Sequence, residues 1–120
     1  MQSHAAGILR GDTFHMILQI TFNLNWPISE YDKMTHAIAH EFLDVPGLRW
    51  KLWLLDPAAQ EAGGIYLFDG QASLDAYLNG PLVAKLRGLT LIRNISMKQF
   101  QVMPEVTALT RGRFALTPGE

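Results

Sequence analysis

The 120-residue sequence contains no cysteine. That excludes a disulfide framework, thiolate chemistry and any Cys-based zinc or iron–sulfur site. Charge of one sign is equally scarce: the formal net charge is −1 and basic residues form no run, so the electrostatic footprint of a nucleic-acid binder is missing. No apolar stretch approaches the ~20 residues a membrane helix needs. Neither a GxGxxG nor a Walker pattern occurs, so nothing supports a nucleotide or flavin held through such a loop. Met1 to Asp12 lacks the long apolar region of a signal peptide and reads as a leader, which together with the absent cysteines places the expected location in the cytoplasm. What is present is ordinary globular material, 48% hydrophobic and 18% charged, enough for one domain with its own core. The expected division is a flexible leader over 1–13, a domain over 14–104 and a C-terminal tail over 105–120.

Phe14 to Leu24 alternates strictly, with Phe14, Met16, Leu18, Ile20, Phe22 and Leu24 on one side, which predicts a half-buried strand. Asn25-Trp26-Pro27 breaks it. Ser29 is a natural N-cap, and Tyr31, Met34, Ile38, Phe42 and Val45 follow at helical spacing up to Pro46-Gly47. Leu48–Asp56 and Glu61–Phe68 read as two strands joined by a short loop, hence a hairpin. Ala72 to Arg87 gives two helical pieces separated by Gly80-Pro81, with Gly88 as the expected left-handed cap, and Leu91 to Met103 is the last strand. The order β-α-β-β-α-β predicts an α+β, ferredoxin-like fold: a four-stranded antiparallel sheet with two helices on one face. The bare face would leave an apolar patch, so a homodimer through the open sheet face is expected, two sheets closing into a dimeric α+β barrel with an interior cavity in each subunit.

The runs Gln19-Ile-Thr-Phe22 with Asn25-Trp-Pro27, Pro46-Gly-Leu-Arg-Trp-Lys-Leu-Trp53, Glu61-Ala-Gly-Gly-Ile-Tyr-Leu-Phe68 and Ala76-Tyr-Leu78 resemble those of the YdhR-type monooxygenases, over most of the chain from about Gln19 to about Val102. The resemblance implies the dimeric α+β barrel of cofactor-independent monooxygenases that act on aromatic polyketides. It implies that molecular oxygen is the co-substrate, that no further cofactor takes part, and that the ligand is a small aromatic molecule of the hydroquinone or anthrone type. The fold also hosts haem-degrading enzymes, isomerases and cyclases. A haem degrader would want a histidine on the second helix, and Gln71 to Arg87 contains none, so haem is not expected. The alternatives are a non-oxidative isomerase or cyclase and a non-catalytic ligand-binding dimer.

Such a reaction needs aromatic walls, a base and a hydrogen-bond donor for a developing oxyanion. Strand parity assigns candidates to the open, cavity-facing side. Gln19, Thr21 and Asn23 come from the polar side of the first strand, and Tyr66 and Phe68 from the third, with Ile65 and Leu67 under the helices. Lys51 and Trp53 come from the second, because a charge is disfavoured beneath helices. Lys51 and Tyr66 are the catalytic candidates, while Gln19, Thr21, Asn23, Trp53 and Phe68 are the substrate-binding ones. A bulge at Gly63-Gly64 would shift this parity. His36, His40 and Asp44 share a helix stripe opposite the apolar face and read as a solvated surface, so no metal site is expected.

Overall fold

The computed structural model describes residues 14–112, so the expected leader and the last eight residues of the expected tail lie outside the described residues. The element order is β1 (Met16–Leu24), α1 (Ile28–Ile38), a 3₁₀ helix (Ala39–Asp44), β2 (Leu48–Asp56), β3 (Glu61–Phe68), α2 (Gln71–Leu78), α3 (Pro81–Arg87), β4 (Ile92–Gln101) and α4 (Pro104–Leu109). The four strands form one antiparallel sheet in the order β2-β3-β1-β4, the ferredoxin-like α+β fold.

The alternation in β1 produces the expected half-buried strand, because every second residue from Met16 to Leu24 is buried against the helices. Tyr31, Leu74, Tyr77 and Val83 close the core from the helical side, with Met34 and Phe42 packed against it. At the N-terminus of α1 the structure differs from expectation. The helix begins at Ile28 after Pro27, whose carbonyl accepts hydrogen bonds from the backbone N–H groups of Glu30 and Tyr31, and no side chain caps it. Ser29 is thus the second residue of the helix and not at the cap position. The helix also tightens into 3₁₀ geometry after Ile38, so the expected single amphipathic run is two segments. Of the described glycines, Gly47 is the left-handed one, at φ 78°, and Gly88 is right-handed. Part of the expected tail is ordered as α4.

Two irregularities set the faces of the sheet. Between β2 and β3 the pairing steps from Leu48↔Phe68 to Trp50↔Leu67, which leaves Arg49 as the extra residue of a bulge. Between β1 and β4 the register shifts between Thr21 and Asn23, and Asn94 takes φ 58° there with its amide donating to Asn23 Oδ1 at 2.9 Å. β3 passes through Gly63-Gly64 without a break in its pairing to β1. The glycine pair is therefore not the site of a bulge, and its role is different. A Cβ on Gly63 would collide with the backbone carbonyl of Ile20, so the β1–β3 approach at this point requires glycine.

Gly63→Ala is expected to cost ~3 kcal/mol or more, or to prevent folding, because the obstructing atom is backbone in the central strand. Urea unfolding of the variant checks this, and a loss below ~1 kcal/mol would mean the strands separate cheaply.

Candidate functional site

Directly paired residues share a face of a sheet. Tyr66 pairs with Leu18, Gly64 with Ile20 and Phe68 with Met16, all on the helix-covered side of β1. Lys51 pairs with Tyr66, and Trp53 with Gly64. Lys51, Trp53, Tyr66 and Phe68 therefore all lie beneath the helices. Gln19, Thr21 and Asn23 pair with Ile65, Gly63 and Glu61 on the opposite face. The expected grouping of all seven on the open side is corrected, and so is the placement of Ile65 and Leu67 under the helices. The physical error lay in treating a buried lysine as forbidden, when its stem can lie along apolar surface and its head against aromatic rings.

Between sheet and helices is a cavity of about 250 Å³, near the small end of the ~300–1,000 Å³ typical of ligand pockets. Lys51, Trp53 and Tyr66 line it from the sheet together with Phe22, and Tyr31, Phe42 and Tyr77 are aromatic residues contributed by the helices. Phe68 does not line it; its ring is fully buried and stacks on Tyr66 at 6.3 Å and 13°. Glu41 and Lys85 also border the cavity and approach each other at 4.0 Å from the 3₁₀ helix and α3. Both are substantially exposed, which marks the cavity's solvent side.

Lys51 is the centre of this arrangement. Its Nζ lies 3.4 Å from the ring centroid of Trp53, 3.7 Å from that of Phe42 and 4.7 Å from that of Tyr66. Phe42 and Trp53 meet edge to face at 5.3 Å, which holds two sides of the box. Gly64 makes room for the stem, since a Cβ there would stand 3.0 Å from Lys51 Cε. No hydrogen bond or ion pair reaches the amine among the described residues.

Burial lowers the Lys51 pKa to about 7, a change worth ~5 kcal/mol at ~1.4 kcal/mol per unit. The ring contacts favour the cation, but burial sets the direction of the shift, and with the pKa at about 7 a large share of Lys51 is neutral amine near pH 7. Tyrosine responds in the opposite sense. Burial, then the neighbouring Tyr77, raises the Tyr66 phenol far above its ordinary range, and burial pushes Tyr31 up to about 12. The site thus combines an amine able to take a proton with a phenol that stays protonated and can donate a hydrogen bond.

Tyr31, Phe42 and Tyr77 follow helical spacing and read as plain core in sequence. The missed signal was the coincidence of three aromatic rings on helix faces opposite a strand that carries a lysine. Elsewhere, His36 is exposed and its Nδ1 lies 2.8 Å from the Asp32 carbonyl oxygen. Among the described residues no group of three or more His, Cys, Asp or Glu could hold a metal ion. No helix among them is long and apolar enough to cross a membrane.

The family model described as "Putative mono-oxygenase ydhR" matches residues 17–113. No curated protein matches the sequence. Solved structures of similar fold include a protein of unknown function from Nitrosomonas europaea, 15% identical with a TM-score of 0.62 over 78% of this chain and 93% of that one. SnoaB, a cofactor-independent oxygenase from Streptomyces nogalater, is 15% identical with a TM-score of 0.60 over 77% of this chain and 99% of its own. The haem degrader MhuD from Mycobacterium tuberculosis, with two haems bound in its active site, is 18% identical with a TM-score of 0.58 over 75% and 97%. At these identities the shared property is the fold.

These neighbours overturn the expectation that no cofactor takes part: the same fold works without a cofactor in SnoaB and binds haem in MhuD. The missing helix histidine was too narrow a criterion. In this chain no histidine lines the cavity among the described residues.

The lowered Lys51 pKa gives a signature in stability. Between about pH 7 and 10.5 the unfolded chain binds the proton that the folded chain has lost, so stability rises with pH across that window. Tyr31, Tyr66 and Tyr77 stay protonated up to pH 9 and do not mask it. From pH 6 to pH 9 the wild type is expected to gain ~2.7 kcal/mol relative to Lys51→Met. Parallel denaturant titrations of both proteins measure this, and a constant difference would mean an ordinary, solvated lysine.

Proposed function

The chain belongs to the ydhR family, and from that premise we propose that it is a monooxygenase for a small, flat aromatic ligand bearing an ionisable hydroxyl, of the hydroquinone or anthrone type. The observation that carries this reading is the enclosure of the Lys51 amine by Trp53, Phe42 and Tyr66 at the wall of the cavity. A planar ring placed in the cavity beside these side chains has much of its surface out of water. Lys51, as neutral amine, takes the hydroxyl proton. The resulting oxyanion accepts a hydrogen bond from the protonated Tyr66 phenol, and the electron-rich ring is the partner for molecular oxygen. Lys51 and Tyr66 are thus the catalytic candidates and Trp53 a substrate-binding one. Gln19, Thr21 and Asn23, on the other face, are not assigned to this cavity.

Because the base and the donor also serve proton transfer without oxygen, an isomerase or cyclase is the second reading. Oxygen uptake separates the two. With a panel of hydroquinones and anthrones, measured with and without added haem or flavin, protein-dependent uptake matched by oxygenated product is expected. Turnover without uptake would favour the second reading, and neither would remove both. Tyr66→Phe is expected to lower kcat by ~10²-fold with little change in binding. Lys51→Met should remove turnover more than binding, and Trp53→Ala should weaken binding first. A Lys51→Met enzyme that turns over normally would end the role assigned to the amine.

We also propose that the open sheet face pairs with a second copy. It carries Leu52, at 53% exposure, and Leu54 on the edge strand β2, and Phe100, at 50%, on the opposite edge strand β4. Sedimentation of the wild type is expected to give a dimer, and Leu52→Asp a monomer. A monomeric wild type overturns the assignment.

A further inference from the structure

We propose that Lys51 is an imine-forming residue: its amine, enclosed by Phe42, Trp53 and Tyr66 at the cavity wall, condenses with the carbonyl carbon of a small aromatic aldehyde or ketone. The inference uses the pocket of the reading above but not its oxygen chemistry, so the two fail separately.

Two lysines line the cavity, and they differ in the way that matters. Lys85 approaches Glu41 at 4.0 Å on the solvent side, whereas Lys51 has no acid partner among the described residues. A nucleophilic lysine must be neutral, reachable from the cavity and free of a carboxylate that would hold its proton. Lys51 meets each condition. Burial brings its pKa to about 7, so about half is neutral at pH 7, against less than ~0.1% of an exposed lysine. Its Nζ stands over the Trp53 ring at 3.4 Å at the wall of the cavity, and Gly64, with no side chain, leaves its Cε unobstructed.

The chemistry balances without an oxidant or reductant. The amine lone pair attacks the carbonyl carbon and a C–N bond forms. The carbonyl π pair moves to oxygen, which takes a proton as nitrogen loses one. The C–O bond of this carbinolamine then breaks, water leaves with the second nitrogen proton, and C=N is formed. Tyr66, held protonated, is the donor for the carbonyl oxygen at the first step. Once formed, the imine lies in an apolar cavity where water is scarce, which slows its hydrolysis. A protonated imine nitrogen keeps the cation–π contacts that the ammonium had.

The test is reductive capture. The protein is incubated at pH 7 with 2-naphthaldehyde and cyanoborohydride, then mapped by peptide mass spectrometry across the four lysines Lys33, Lys51, Lys85 and Lys98. Labelling of Lys51 at least ~10-fold above Lys33 and Lys98 is expected from the difference in neutral amine. Lys51→Arg keeps a cation but cannot form the imine, and it should lose this capture while the surface lysines label as before. If that variant does not fold, the wild-type map decides alone. Binding of 2-naphthol, which has the ring and no carbonyl, is measured in parallel. Naphthol binding without preferential labelling of Lys51 overturns the imine and leaves the pocket standing, whereas the absence of both binding and labelling removes the two together.

Discussion

The register between β1 and β3 is the constraint from which the rest follows. Because cross-strand partners share a face, the pairing of Leu18 with Tyr66 commits Tyr66 to the buried side of the sheet. Through Tyr66 it commits Lys51 as well, one strand further out. A slip of one residue would send Tyr66 and Phe68 to the surface and bring Ile65 and Leu67 beneath the helices. The fold would still have an apolar core, but no cavity chemistry. Gly63 protects this register, since its lack of a side chain is what allows β3 to approach the Ile20 carbonyl.

Within that frame the site is a contest between two forces acting on one amine. The aromatic quadrupoles favour a cation over Trp53 and Phe42, while the surrounding apolar volume disfavours any charge. Desolvation sets the direction, and it brings the group near the midpoint of its titration at neutral pH. The tyrosines experience the same burial, but because their charged form is the deprotonated one, burial keeps them protonated. One apolar environment therefore produces a base and a proton donor side by side.

Much of the fold was legible in the sequence because it rests on short-range pattern. The strict alternation of β1, the hairpin of β2 and β3 and the Gly80-Pro81 break are local signals that need no tertiary context. The site was only partly legible. Lys51, Trp53 and Tyr66 do come together at one cavity, but on the face opposite to the one expected, because the rule that charge avoids the region beneath helices ignores what rings can offer an amine. The bulge at Arg49 left no sequence signal, being a mismatch of lengths between two strands rather than a residue preference. Phe42 and Tyr77 were visible as helix-face aromatics, yet nothing local distinguishes a ring that fills a core from one that borders an empty space.

The walls of the aromatic box are unequal in stiffness. Trp53 and Tyr66 stand on strands hydrogen-bonded to each other in the sheet, while Phe42 stands on a short 3₁₀ segment whose hydrogen-bond geometry is poorer than that of an α-helix. Ligand breadth is accordingly set from one side. Changes over residues 39–44 can retune which ring shapes are admitted, while the lysine and its strand partners stay in place. Diversification of substrate within such a scaffold then requires no renegotiation of the sheet.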